Sequence, residues 1–144
     1  MIEFVTVHEA LYESYSRLKT IPGISSISAL GILAESPDIQ MFQHVKQWVA
    51  YAGLNPSIHQ SGSSVNRRGH LSKTGSKALR KVFYMPALSA KNICKCYKPF
   101  VQRLQEKGKP PKVILIAVMH KLFRIVFAVL KKERPFDQTL LNQM

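Results

Sequence analysis

The stretch VILIAVMHKLFRIVFAVLKK, residues 113–132, limits what this chain can fold into more than any other segment. It is the most apolar part of the sequence, so as a helix it has to be covered by other elements. Its longest uncharged run, Val113 to Met119, is too short to cross a bilayer, and His120, Lys121 and Arg124 share one side. The expectation is a core helix with a basic stripe, inside a mostly α, compact multi-helix domain. An amphipathic helix lying on a membrane surface is the competing reading of the same residues.

The rest of the chain supplies helices to cover it. At 144 residues, 46% hydrophobic and 20% charged, it is long enough for one domain with a real core and is not compositionally disordered. Phe4, Val7, His8, Leu11, Tyr15 and Leu18 recur at three-and-four spacing, which predicts a helix over residues 4–19. Pro22 and Gly23 break the chain before a second helical pattern with Ile27, Leu30, Leu33 and Ala34 along one side. The pair resembles a helix-hairpin-helix, whose tight-turn N–H groups meet a phosphate, making Gly23 and Ser25 candidate nucleic-acid contacts. Ser25 stands where the common hairpin form has its second glycine, and a Cβ there resists positive φ. A plain αα-hairpin packing the domain together explains the pattern equally well.

Ser36, Pro37 and Asp38 make the next break, with Asp38 placed to cap the helix MFQHVKQWVAYAG. Phe42, Val45, Val49 and Ala52 form its expected buried side, with Trp48 near one edge. From Tyr51 to Leu88 the chain passes through a polar loop holding Ser57, Ser61, Gly62, Ser63, Ser64 and Gly69, then enters a basic helix at about Ser76. Hydroxyls beside Arg67, Arg68 and Lys73, leading into a helix N-terminus, can hold a phosphate. Lys77, Arg80 and Lys81 continue the basic surface, and Pro86 predicts a kink or early stop. Farther on, Tyr97, Phe100 and Leu104 anchor another basic segment, Gly108, Pro110 and Pro111 mark a boundary, and the tail from Arg134 reads as frayed. The organisation is therefore an N-terminal helix over 1–19, a central domain over 20–132 and a tail over 133–144.

Charge points to a partner. The net charge is +13, and residues 66–134 carry 18 Lys/Arg against Glu106 and Glu133 alone, a net +16. Such a block attracts a polyanion through counterion release, with nucleic acid the first candidate and an anionic membrane the second. Cys94 and Cys96 have no second pair to complete a tetrahedral zinc site and read as reduced thiols. Glu35 and Asp38 lack the further acidic partners a two-metal site needs. The N-terminus MIEFVTVHEALYES has neither the basic start nor the long apolar core of a signal peptide, so a cytoplasmic protein without a membrane partner is expected.

The blocks YAGLNP, HQSG, GHLSKTGSKALRK and YMPAL, preceded by IPGISSISALGILAESPDIQMF and followed by GKPPKVILIAVMHKLFRIVFAVL, occur in an order that resembles the C-terminal domain of the bridge-RNA-guided DEDD insertion-sequence transposases. The resemblance implies DNA transposition with a serine nucleophile that becomes covalently joined to DNA; the serine before glycine in HQSG, Ser61, corresponds best, with Ser63 and Ser64 as fallbacks. It implies Mg²⁺ held by the carboxylates of a separate RuvC-like N-terminal domain, which this truncated chain would need in trans. It also implies DNA, a guide RNA and further copies of the chain as partners. Without that resemblance, Ser61 to Ser64 read as ordinary loop residues, and a non-catalytic nucleic-acid-binding remnant is the alternative.

Overall fold

The computed structural model describes residues 9–57, 70–71 and 75–142. Its helices are α1 (Glu9–Lys19), α2 (Ser26–Glu35), α3 (Val45–Tyr51), α4 (Lys77–Asn92), α5 (Lys98–Glu106), α6 (Pro111–Lys131) and α7 (Thr139–Asn142). Two single-turn 3₁₀ segments, Ile39–Met41 and Lys95–Tyr97, and one short antiparallel pair, β1 (Pro56–Ser57) with β2 (His70–Leu71), complete it. The expected mostly helical domain is the fold observed.

Helix α6 is the axis of the domain, and α1, α3, α4, α5 and α7 all pack on it. Pro110 and Pro111 start it, since a first-turn proline gives up only an N–H that has no intrahelical partner. By length and composition this 21-residue helix could cross a membrane, but 56% of its most apolar window is buried against its neighbours, as in a core helix. Its basic residues do not form one solvated stripe. Lys121 is only 8% exposed, with its Nζ 4.4 Å from the centre of the Phe100 ring on α5. Arg124 instead faces α3, and His120 is half-buried.

The heart of the core is aromatic. Phe83 of α4 stacks on Phe123 of α6 with centroids 3.8 Å apart, and Trp48 of α3 lies 4.8 Å from Phe123, 5.9 Å from Phe83 and 6.0 Å from Phe127. Trp48 is therefore central and fully buried, not at an edge. The helix holding it is shorter than the pattern implied. Asp38 caps the 3₁₀ turn instead, its Oδ1 accepting from the Gln40 N–H at 2.9 Å, and α3 begins only after His44. A two-turn helix has room for one buried ridge, and Trp48 with Val49 takes it, leaving Phe42 and Val45 half-buried.

Three other expectations change. Helix α2 turns Ala29 and Ile32 inward and leaves Ile27 84% exposed, because Gly31 seats against Val82 of α4 and fixes the rotation of a helix whose apolar residues are not confined to one side. Of the kink or early stop expected at Pro86, the early stop does not occur: burial of Leu79, Phe83, Pro86, Ala87 and Ala90 along one face outweighs the one hydrogen bond that proline cannot donate. The tail past Arg134 turns back onto the domain. The Phe136 N–H donates to Thr20 Oγ1 at 2.8 Å, and Leu141 is buried beside α6. Helix α1 is described from Glu9, with Tyr15 and Leu18 inward as expected; Phe4, Val7 and His8 lie outside the described residues.

Candidate nucleic-acid interface

The serine-bearing segment leaves the helical body at Gly53 and returns at Gly75, and these two points are held together. The Ser76 N–H donates to the Tyr51 carbonyl at 2.7 Å, which places the Gly75 α-carbon directly on the Tyr51–Gly53 backbone. A Cβ at Gly75 would collide with Gly53 N, Tyr51 O and Ala52 C. Gly53 itself has φ +70°, a conformation that side chains rarely adopt. Beyond this contact the backbones of β1 and β2 pair, Pro56 opposite Leu71 and Ser57 opposite His70. The base of the segment is thus a closed stem.

Arg80 locks that stem. Its Nη1 donates to the Ala52 carbonyl at 2.8 Å and to the Gly75 carbonyl at 3.2 Å, tying the end of α3 to the start of α4. Of the three basic residues expected to face a polyanion here, Arg80 therefore has a structural duty. Lys77 and Lys81 are exposed one helical turn apart, and Tyr84, 48% exposed, continues their stripe at the next turn. Ser76 caps α4 as its sequence position predicted, its Oγ accepting from the Leu79 N–H at 3.2 Å. Ser61, with its fallbacks Ser63 and Ser64, lies outside the described residues, as do His59, Arg67, Arg68 and Lys73.

The hairpin between α1 and α2 is seated on α4. Gly23 has φ +96°, and a Cβ there would lie 3.1 Å from both the Pro86 carbonyl oxygen and Ala90 Cβ, so the glycine allows the turn to seat on α4. Ile21 and Ile24 are buried around it, and the Tyr97 hydroxyl donates to the Pro22 carbonyl at 3.3 Å. Burial, with smaller effects from the neighbouring thiols, holds the Tyr97 hydroxyl in its protonated form well above the ordinary pKa. Ser25 needs no positive φ: at φ −83° it is the N-cap of α2, its Oγ accepting from the Ser28 N–H at 3.2 Å. This geometry is that of an αα-hairpin packed on α4 through Ile21, Gly23 and Ile24, with Ser25 exposed.

A second exposed cationic region was not singled out residue by residue from the sequence. Lys95, Lys98, Arg103, Lys107, Lys109 and Lys112 are all exposed along α5 and its connections. Their density in the sequence was the available signal. Phe100 is flanked by the Arg103 guanidinium at 5.5 Å and by the Lys121 ammonium, whose pKa is lowered by burial and by the Arg103 charge. Cys94 and Cys96 are free, half-buried thiols with pKa values raised chiefly by burial, which makes them poor thiolate nucleophiles. Among the described residues there is no group of three or more His, Cys, Asp or Glu side chains placed to hold a metal ion.

Known proteins show the same sequence pattern. Residues 15–102 match the family described as "Transposase IS116/IS110/IS902 family". The chain is 39% identical over 126 residues to the "Pilin gene-inverting protein" of Moraxella bovis, covering 87% of this chain and 39% of that protein. The protein of the same name from Moraxella lacunata is likewise 39% identical, with the same coverage. A third relative, "Transposase for insertion sequence element IS1111A" of Coxiella burnetii, is 37% identical over 68 residues, or 47% of this chain and 18% of that protein. The chain spans about two fifths of the length of the Moraxella relatives it matches.

Proposed function

Because this chain belongs to the IS116/IS110/IS902 transposase family, we propose that it is the DNA-binding and strand-transfer part of a transposase or recombinase of the bridge-RNA-guided DEDD type, with Ser61 as nucleophile. The observation that carries this reading is the stem at Gly53 and Gly75: the chain departs from it toward Ser61 and returns to it beside the exposed Lys77 and Lys81. A rigid base under a hydroxyl-bearing segment, next to cations, suits a strand held for in-line attack. Tyr84 offers a π-face to an unstacked base beside the same lysines.

In the proposed step the Ser61 hydroxyl attacks phosphorus, forming an Oγ–P bond as the phosphorus–oxygen bond to the adjoining deoxyribose breaks. The hydroxyl proton passes to a base, for which His59 is the nearest candidate in sequence, and the departing alkoxide takes up a proton. Arg67, Arg68 and Lys73 steady the phosphoryl charge. A divalent cation, Mg²⁺ in this reading, would be carried by carboxylates of a RuvC-like domain outside these 144 residues and would stabilise the attacking and leaving oxygens. A guide RNA and further copies of the chain complete the assembly.

The test supplies such a carboxylate domain with Mg²⁺ and a nicked or intact DNA target, then looks for a covalent protein–DNA adduct. The expected result is an adduct that disappears in Ser61→Ala. An adduct of undiminished yield in that variant removes Ser61 from its role, and DNA binding with no adduct in any arrangement leaves a non-catalytic binding module.

A further inference from the structure

At the end of α3 opposite the stem, the corner around His44 and Val45 faces the C-terminal half of α6 across a cleft of about 230 Å³. Arg124, Ala128 and Lys132 follow one another at four-residue spacing along the wall that α6 contributes. Ala128 is the small residue that leaves the space open between the two cations. Lys131 is already engaged, its Nζ donating to the Phe42 carbonyl at 2.9 Å and the Gln40 carbonyl at 3.2 Å, which fastens the corner to the helix. The Gln47 Oε1 accepts from the N–H groups of Gln43 and His44 and fixes the corner's own shape.

Two features of this cleft call for an anion. Among the described residues no carboxylate lines it, and the one ion pair is Arg17 with Glu13, far along the sequence on α1. The Arg124 Nε is buried with no hydrogen-bond partner, a donor that native structures ordinarily pair. The neighbouring His120 has its pKa lowered first by burial and then by the Arg124 charge, so the positive field at this wall acts on other groups too. Helix-end electrostatics account for Lys131 and Lys132 but not for Arg124, which sits two turns before the helix ends. The remaining surface of the cleft is largely apolar, with Val45 and Phe127 as its walls.

We infer that this cleft is a second seat for the nucleic-acid backbone, in which Arg124 and Lys132 hold one phosphodiester and Val45 and Phe127 pack against the attached sugar. An anion with an apolar body matches the mixed lining better than a fully hydrated small ion does. Nucleic acid is favoured over an acidic protein segment by the chain's +13 charge, by the exposed Lys132 in the cleft wall and by the exposed Lys46, which follows Val45 in the sequence. Helix α3 has seven residues, so the cleft and the stem are separated by about 10 Å of helix, or roughly three nucleotides at 3.4 Å each. A strand seated in the cleft would thereby reach the stem at Gly53 and Gly75. The inference rests on the reading that this chain binds DNA.

The experiment measures binding of a fluorescein-labelled single-stranded oligonucleotide to the full chain across a range of NaCl concentrations. Arg124→Gln and Lys132→Gln are each expected to weaken binding about five- to tenfold and to lower the salt slope by about one. Ala128→Leu fills the cleft without changing charge and is expected to reproduce both effects. Should that variant fail to fold, Lys132→Gln, at an exposed position, carries the decision. Arginine modification by phenylglyoxal, read by peptide mass spectrometry, supplies a second measurement: the oligonucleotide is expected to protect Arg124 and poly-glutamate is not. Wild-type affinity and slope in both charge variants, while Lys77→Gln weakens binding, would overturn the cleft assignment and leave the DNA reading standing. Protection of Arg124 by poly-glutamate alone would reassign the cleft to an acidic protein segment. Salt-independent or absent DNA binding by the parent chain would overturn the DNA reading and the cleft with it.

Discussion

Substituting Gly75 by alanine tests whether the stem is held by backbone contact. The added methyl meets Gly53 N, Tyr51 O and Ala52 C, all backbone atoms that cannot rotate away. Reaching ordinary carbon contact requires the two backbones to separate by about 1 Å. That movement breaks the 2.7 Å bond from the Ser76 N–H to the Tyr51 carbonyl and the 2.8 Å bond from Arg80 Nη1 to the Ala52 carbonyl. A lost backbone bond costs about 1 kcal/mol and a charge-assisted one about 1.5–3 kcal/mol, giving a destabilisation of about 3 kcal/mol. For a domain whose total stability is about 5–15 kcal/mol, this is a large fraction. With an m-value of about 2 kcal/mol/M, the urea midpoint falls by roughly 1.5 M.

Two companions isolate the cause. Gly108 has φ +68° and nothing within 4 Å of an added Cβ, so Gly108→Ala reports conformational strain alone, about 1 kcal/mol. Arg80→Met removes the clamp without crowding the stem, and the double variant with Gly75→Ala is expected to be less than additive, because both changes act on the same bonds. A Gly75→Ala variant no less stable than Gly108→Ala would refute the close-contact account.

Further expectations follow from the core and the surface. Trp48, the single tryptophan, is fully buried, so its emission should be blue-shifted in the native protein and move red together with the loss of far-UV circular dichroism; Trp48→Ala should cost about 3–5 kcal/mol. Lys77→Gln with Lys81→Gln should weaken DNA binding and lower the salt slope by about two, with little change in thermal stability, since both side chains are exposed. His120 has a folded-state pKa below its ordinary value, so the unfolded chain takes up the proton first. Its contribution to stability is present above about pH 6.5 and lost as pH falls through that value toward the folded pKa, a trend that His120→Phe should flatten in pH-dependent urea titrations.

The aromatic cluster and the stem are parts of one arrangement. Trp48 anchors α3 against Phe123, Phe83 anchors α4 on the same ring, and the stem joins the C-terminal end of α3 to the N-terminal end of α4. The segment that bears Ser61 therefore departs from two helices fixed in the core.

How much of this was legible in the residues differs from element to element. The apolar run at 113–132 dictated a helix covered by others, Ser76 dictated where α4 begins, and the concentration of lysine and arginine after residue 66 dictated a cationic protein, because these follow from local patterning and from charge alone. The rotation of α2, the central place of Trp48 and the burial of Lys121 were not readable. Each is set by a partner distant in sequence: Val82 beneath Gly31, the Phe83–Phe123 stack, and the Phe100 ring. Arg80 shows the difference most plainly. Its sequence neighbours mark it as one more surface cation, yet two carbonyls, one of them 28 residues away, turn it into the lock of the stem. Local spacing determines which faces are apolar or charged, whereas which of those faces meet, and which cations stay free for an anion, is decided only when the helices pack.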